Sequence, residues 1–159
     1  MAKNDAVEEL SAALQRMGRM LASRQVASRI ISVAGVEVTQ QSMTLMRVLL
    51  RDGKQSIATL AAAAAMDLGA VSRQLRLLED AGAVRRTRSP DDGRVALMEL
   101  TTSGQRVAER IRAVSVRHLE EALAGWSADD ERTLALLMQR LVDDLTATPV
   151  RPDGVAAKT

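Results

Sequence analysis

The sequence predicts a mainly α-helical chain with one small β-hairpin set among its helices. Three observations carry that prediction. Apolar residues recur at steps of three and four through most of the 159 residues. Side chains that favour helix starts (Thr39, Ser56, Asp67, Thr101 and Ser127) stand just ahead of these stripes. The period changes once, between Val84 and Leu100, around the turn cluster Ser89-Pro90-Asp91-Asp92-Gly93.

Taken in order, the first helix is expected from about Asp5 to Ile30, with Val7, Leu10, Leu14, Met17 and Leu21 as its stripe. Ser32 to Glu37, around Gly35, reads as a connection. Thr39 opens a second helix to about Arg51 that turns Met43, Leu45, Met46, Leu49 and Leu50 inward, and Gly53 ends it. Ser56 opens a short third helix to about Ala65, whose five consecutive alanines allow close helix contact. Asp67 caps a fourth from Leu68 to about Ala81, buried through Val71, Leu75 and Leu78, with Gly82 just past its end. The hairpin strands are expected at Val84–Arg88 and Arg94–Leu100. A long fifth helix follows from Thr101 or Thr102 to about Ala124 on the spine Val107, Ile111 and Val114. After Gly125-Trp126-Ser127, a sixth runs from about Asp129 to Leu145, and a loose tail is expected over residues 146–159. Trp126 reads as packing between the last two helices.

Composition removes several classes of function. Hydrophobic residues make up 47% of the chain, yet there is no Phe, no Tyr and a single Trp, so Leu, Val, Ala and Met must fill the core. There is no Cys, which excludes disulfides, thiol sensing and Cys-ligated metal, and His118 stands alone. No nucleophile–base pair or glycine-rich phosphate loop is visible, so an enzyme is not expected and no cofactor is implied. No apolar run is long enough to span a membrane, and the start lacks a signal-peptide core, so a cytoplasmic protein is expected. The net charge of +2 does not by itself indicate nucleic acid. Where the charge lies matters more.

Two short helices meeting at Met66-Asp67 make a helix-turn-helix, whose second member can enter the DNA major groove. Its outward residues are expected to be Gly69, Ala70, Ser72, Arg73, Gln74 and Arg76. Arg can pair bidentately with guanine, Gln with adenine, and Ser with a base or a phosphate. The helix start would also offer amides to a phosphate. Arg85, Arg86 and Arg88 then lie on the first hairpin strand and Arg94 begins the second. A basic hairpin beside such a helix is a wing, able to touch backbone or insert an Arg into the minor groove.

The run Val71-Ser72-Arg73-Gln74-Leu75-Arg76-Leu77-Leu78-Glu79-Asp80-Ala81-Gly82-Ala83-Val84-Arg85-Arg86, then Asp91-Asp92-Gly93-Arg94, then Glu99-Leu100-Thr101-Thr102-Ser103-Gly104, resembles the MarR (multiple antibiotic resistance regulator) family. The resemblance implies a winged helix-turn-helix lobe over residues 36–100 and a helical dimerisation region over 1–35 and 101–145. It further implies a homodimeric transcriptional regulator, usually a repressor, on a pseudo-palindromic operator in double-stranded DNA. Ser72, Arg73, Gln74 and Arg76 would face the major groove. Arg94 would enter the minor groove steadied by Asp92, with Arg86 and Arg88 on the wing. This chain departs from the family pattern at Gly69 and Ala70, where hydroxyl residues are frequent, at Gly93 in the wing turn, and at Ala83 in place of Leu. The stripe Val7–Leu21, outside the lobe, independently asks for a partner chain.

Many members of the family release DNA on binding a small aromatic or phenolic effector, and Met17, Met20, Met43, Met46 and His118 are the candidates here to line its site. Core packing for the methionines and a solvated helix face for His118 are the competing readings. A different functional class is a helical dimer for protein interaction whose winged lobe no longer binds DNA. Intact Arg73, Arg76, Arg88 and Arg94 argue against it.

Overall fold

The computed structural model describes residues 2–90 and 92–150. Asp91 of the expected wing turn, and the expected tail beyond residue 150, lie outside that range. The chain divides into two compact units, Met1–Arg117 and His118–Thr159.

The first unit opens with α1 (Ala2–Leu21) and α2 (Arg24–Ala34), followed by α3 (Gln40–Asp52). Next come the short strand β1 (Gln55–Ser56), α4 (Ile57–Ala64) and α5 (Leu68–Asp80). Strands β2 (Val84–Arg88) and β3 (Ala96–Leu100) lead into α6 (Thr102–Ala122), and α7 (Ala128–Ala147) lies in the second unit. The three strands form one antiparallel sheet in the order β1-β3-β2. Its register runs from Val84 opposite Leu100 to Arg88 opposite Ala96.

The expected caps are made. Thr39, Ser56, Asp67 and Ser127 each accept the backbone N–H three residues on, satisfying donors that a helix start leaves open. Gly82, at φ +65°, completes a Schellman end for α5, with Gly82 N–H on Glu79 O and Ala83 N–H on Leu78 O. At the end of α4 the left-handed position is filled by Ala65, at φ +51°, a mildly strained choice that turns the chain toward α5.

Two apolar clusters hold the first unit. The larger joins Leu45, Met46 and Leu49 of α3, Leu60 of α4, Val71, Leu75 and Leu78 of α5 and Met98 of β3. The smaller gathers Ala27 and Ala34 of α2, Met43 of α3 and Ile111 of α6. In the second unit α7 has no buried residue, and Leu136, Leu137, Val142 and Leu145 are all exposed.

Three expectations need correction. The single helix over Asp5–Ile30 is two, because Ser23 is extended (ψ 120°) and starts a new helix at Arg24. The second hairpin strand begins at Ala96, not Arg94. The segment Gln55–Ser56, read as a helix lead-in, also pairs with Met98 and Leu97 as a third strand.

The Thr101-Thr102-Ser103-Gly104 run has a clear physical role. Thr101 donates its backbone N–H to Ala83 O (3.0 Å) and its hydroxyl to Gly82 O (2.7 Å), while its Oγ1 accepts the Gly104 N–H (3.1 Å). The first turn of α6 thus lies directly on the backbone that leaves α5. A Cβ on Gly104 would sit 1.8 Å from Ala83 O, a backbone atom that cannot step aside. Gly104→Ala is therefore expected to destabilise the protein by about 3 kcal/mol, measured by urea unfolding, whereas an unchanged midpoint would show that the contact can relax.

Candidate nucleic-acid interface

Helix α5 is the second member of the helix-turn-helix and sets most of the candidate surface. Its buried stripe is Ala70, Val71, Leu75 and Leu78, with Arg73 and Arg76 exposed on the other side and Ser72 half-buried. Ala70, expected to face outward, is buried because it falls one turn before the packed pair Gln74 and Leu75. Gln74 is also half-buried, and its Oε1 accepts hydrogen bonds from Thr39 Oγ1 (2.7 Å) and Ser42 Oγ (2.9 Å) of the α3 start. The N-terminus of α5 is not fully open to a phosphate either, since Asp67 Oδ1 already accepts the Ala70 N–H at 2.7 Å. Gly69 has a local reason. A Cβ there would lie 3.1 Å from Asp67 Oδ1 and 3.4 Å from Arg73 Nη1.

The wing sorts its cations by strand alternation. Arg85 lies opposite Glu99 in the register and bonds to it, Nε to Oε1 at 2.6 Å. Lys54 reaches the other oxygen of Glu99 at 2.9 Å. This carboxylate, 9% exposed, thereby pairs with two cations and leaves the triad a net charge of +1. Arg86 makes a long contact with Glu79 (3.5 Å). Arg88 and Arg94 are exposed, and among the described residues neither they nor Arg73 and Arg76 form an ion pair. Asp92 does hold Arg94, but through the backbone, its Oδ1 accepting the Arg94 N–H at 2.9 Å. That contact shapes the turn and does not involve the guanidinium.

The helix-turn-helix and basic wing, seen first in the residues, agree with comparison to known proteins. Residues 38–96 match the MarR family model. The chain is 33% identical to an HTH-type transcriptional repressor of Mycobacterium tuberculosis (strain H37Rv) over 131 residues, 82% of this chain and 91% of that protein. The chain belongs to the MarR family. A further relative, the HTH-type transcriptional regulator YdgJ of Bacillus subtilis, is 31% identical over 68% of this chain, a match spanning 66% of its own length. Among solved structures, a MarR family protein from Bacillus stearothermophilus superposes with a TM-score of 0.77 at 20% identity, over 90% of this chain and 97% of that one. NadR in complex with 4-hydroxyphenylacetate gives 0.71 at 22%, over 88% and 94%. These likenesses identify the fold as that of MarR winged helix proteins and the chain as a DNA-binding transcriptional regulator of that family. Among the described residues no helix is long and apolar enough to cross a membrane.

The residues considered for an effector are scattered. Met43 and Met46 are buried in different apolar clusters, Met17 is half-buried on α1, Met20 is exposed, and His118 is exposed in the second unit. Two open grooves of about 640 Å³ flank Thr39, one lined by Val36, Ser42, Leu77, Val107 and Arg110, the other by Arg24, Ile31, Gln40, Thr44 and Met66. None of the five candidate residues lines either groove. A residue the sequence reading passed over is Arg47. Desolvation lowers its pKa from the ordinary value, its Nη2 donates to Ser115 Oγ (2.7 Å), and no carboxylate pairs with it among the described residues. Its position inside a helical stripe of apolar neighbours was the available signal.

Glu99 makes the wing sensitive to acid. Hydrogen bonds from Lys54 and then Arg85 hold its carboxyl below its ordinary pKa of 4.5, against the opposing effect of desolvation. A carboxylate with a depressed folded pKa stabilises the native state above the unfolded value, and that contribution is lost as pH falls through the folded one. Stability should therefore fall below about pH 4.5, and Glu99→Gln should flatten that part of the curve in denaturation experiments run across pH. Equal slopes in both proteins would remove Glu99 from the acid response.

Proposed function

We propose that this regulator is a homodimeric repressor that binds the two half-sites of a pseudo-palindromic operator and is released by a small aromatic or phenolic effector. The observation that carries the DNA reading is a set of four guanidinium groups that form no ion pair among the described residues, Arg73 and Arg76 on α5 with Arg88 and Arg94 on the wing. Unpaired cations are the groups free to displace counterions from phosphates and to pair with guanine. Ser72 and Arg86 supplement them, and Asp92 fixes the wing turn.

The dimer reading rests on exposed apolar faces. Val7, Leu10 and Leu21 on α1, and Leu136, Leu137, Val142 and Leu145 on α7, are exposed together with Trp126. Helices with such faces need a cover, and we assign it to a second copy through residues 1–35 and 101–145, leaving 36–100 as the DNA-binding lobe. Two half-sites about one helical turn apart would then be engaged together. Repression follows the name of the mycobacterial relative, and the cytoplasm is where such a regulator without catalytic function would work.

For the effector, the ligand in the NadR structure combines a phenol with a carboxylate. Arg47 offers that chemistry a partly desolvated cation. Met17, Met20 and His118 retain surface that an effector could use, whereas Met43 and Met46 serve the core. The effector would act by preferring a dimer state with mis-spaced recognition helices, lowering operator affinity by its differential affinity and no more.

Selection of bound sequences from random duplex DNA tests the whole reading. An enriched inverted repeat is expected. A stable dimer that enriches nothing would instead mark a protein-interaction module. On the selected duplex, Arg94→Ala should weaken binding substantially while the dimer, followed by light scattering, is unchanged; full affinity would take the wing out of the mechanism. Arg73→Ala should cost about 1–3 kcal/mol and relax base preference at one position of each half-site. A uniform loss on all sequences would make Arg73 a phosphate contact.

A further inference from the structure

We infer that Gln74 is a positioning residue that fastens the recognition helix α5 to the start of α3, and not a reader of adenine. The inference rests on the DNA-binding reading above but draws on different contacts. Gln74 lies four residues after Ala70 and three after Val71, which puts it in the packed stripe of α5 and not on its exposed face. Its Oε1 accepts from Thr39 Oγ1 at 2.7 Å and from Ser42 Oγ at 2.9 Å. A carbonyl oxygen has two lone pairs, and here both are taken.

Recognition of adenine by Gln needs the amide nitrogen to donate to N7 and the same carbonyl oxygen to accept from N6. That acceptor is not available. Releasing it would take from the Ser42 hydroxyl, 3% exposed, the acceptor of its proton and leave it only the longer contact with Thr39 Oγ1 (3.1 Å), and an unmet donor in a buried place is costly. Thr39 is doubly committed, since its Oγ1 also accepts the Ser42 N–H (3.0 Å) as the cap of α3. Among the described residues these are the side-chain hydrogen bonds that join α3 to α5, across 32 and 35 positions of sequence. They fix the rotation of α5 about its axis, and so the direction in which Arg73 and Arg76 leave the lobe.

The test uses the full chain with Gln74→Met, Ser42→Ala and the double variant. Each single variant should weaken binding to the selected operator about three- to tenfold, alike on all operator variants, with the preferred sequence unchanged. The double variant should be no weaker than Gln74→Met, because both changes break one network. Thr39→Ser, which keeps the hydroxyl, should bind as the parent does. Altered base preference at one half-site position in Gln74→Met, with Ser42→Ala fully active, would overturn the inference, as would unchanged affinity in Gln74→Met. Amide exchange without DNA gives a second reading. It should quicken in α5 and the first turn of α3 in both single variants, and unchanged protection there overturns the inference. If the parent protein selects no sequence, the DNA reading fails by itself while exchange still decides the role of Gln74. If Gln74→Met fails to fold, Ser42→Ala carries both measurements.

Discussion

The helix-turn-helix and wing of this protein depend on one contact, the seat of the first turn of α6 on the backbone of Gly82 and Ala83. Four elements meet there: the end of α5, the start of β2, the end of β3 and the start of α6. Thr101 satisfies two carbonyl oxygens and caps its own helix, and Gly104 leaves the gap in which the backbones touch. Because α5, the wing and α6 all join at this point, hydrogen bonds of fixed length constrain how they sit together. Surface arginines can therefore be long and mobile at their tips while their Cα positions stay defined. Loops that present function commonly rely on a rigid base of this kind.

Electrostatics around that base follow a division of labour. Glu99, low in the sheet, pairs with Arg85 and Lys54 and so ties both cations to the wing. Farther from the base, Arg88 and Arg94 have no carboxylate partner among the described residues. Asp67 and Asp92 add negative charge near the surface, yet both spend an oxygen on a backbone N–H, shaping a helix start and a turn. An arginine count from sequence cannot make this distinction, because pairing depends on strand register and not on composition.

Much of the architecture was legible in the residues, and what escaped did so for physical reasons. Thr39, Ser56, Asp67 and Ser127 announce their helices because capping is local chemistry. The Gly82 end of α5 and the change of period at Val84 are equally local. The break at Ser23 has neither a Gly nor a Pro beside it, and the apolar stripe runs across it. Strand β1 is two residues long and exists only because β3 offers a free edge, which no local signal records. Of the candidate site, Arg73, Arg76, Arg88 and Arg94 were legible as exposed cations on α5 and the hairpin. Gln74 was assigned to the exposed face from its residue type, although the spacing from Val71 already placed it with the packed residues. Arg47 was signalled only weakly, by its apolar neighbours on α3, because its partial desolvation and its bond to Ser115 are tertiary facts.

Alternation in β2 has an evolutionary corollary. Arg85 faces Glu99 while Arg86 and Arg88 do not, so a single inserted or deleted codon inside the strand would exchange the two sets. Arg86 would be brought opposite the carboxylate, and Arg85 would pass to the face that carries buried Val84. Length changes in this gene segment are thus filtered by parity: the turn can drift, whereas the strand preceding it can change only in steps of two residues.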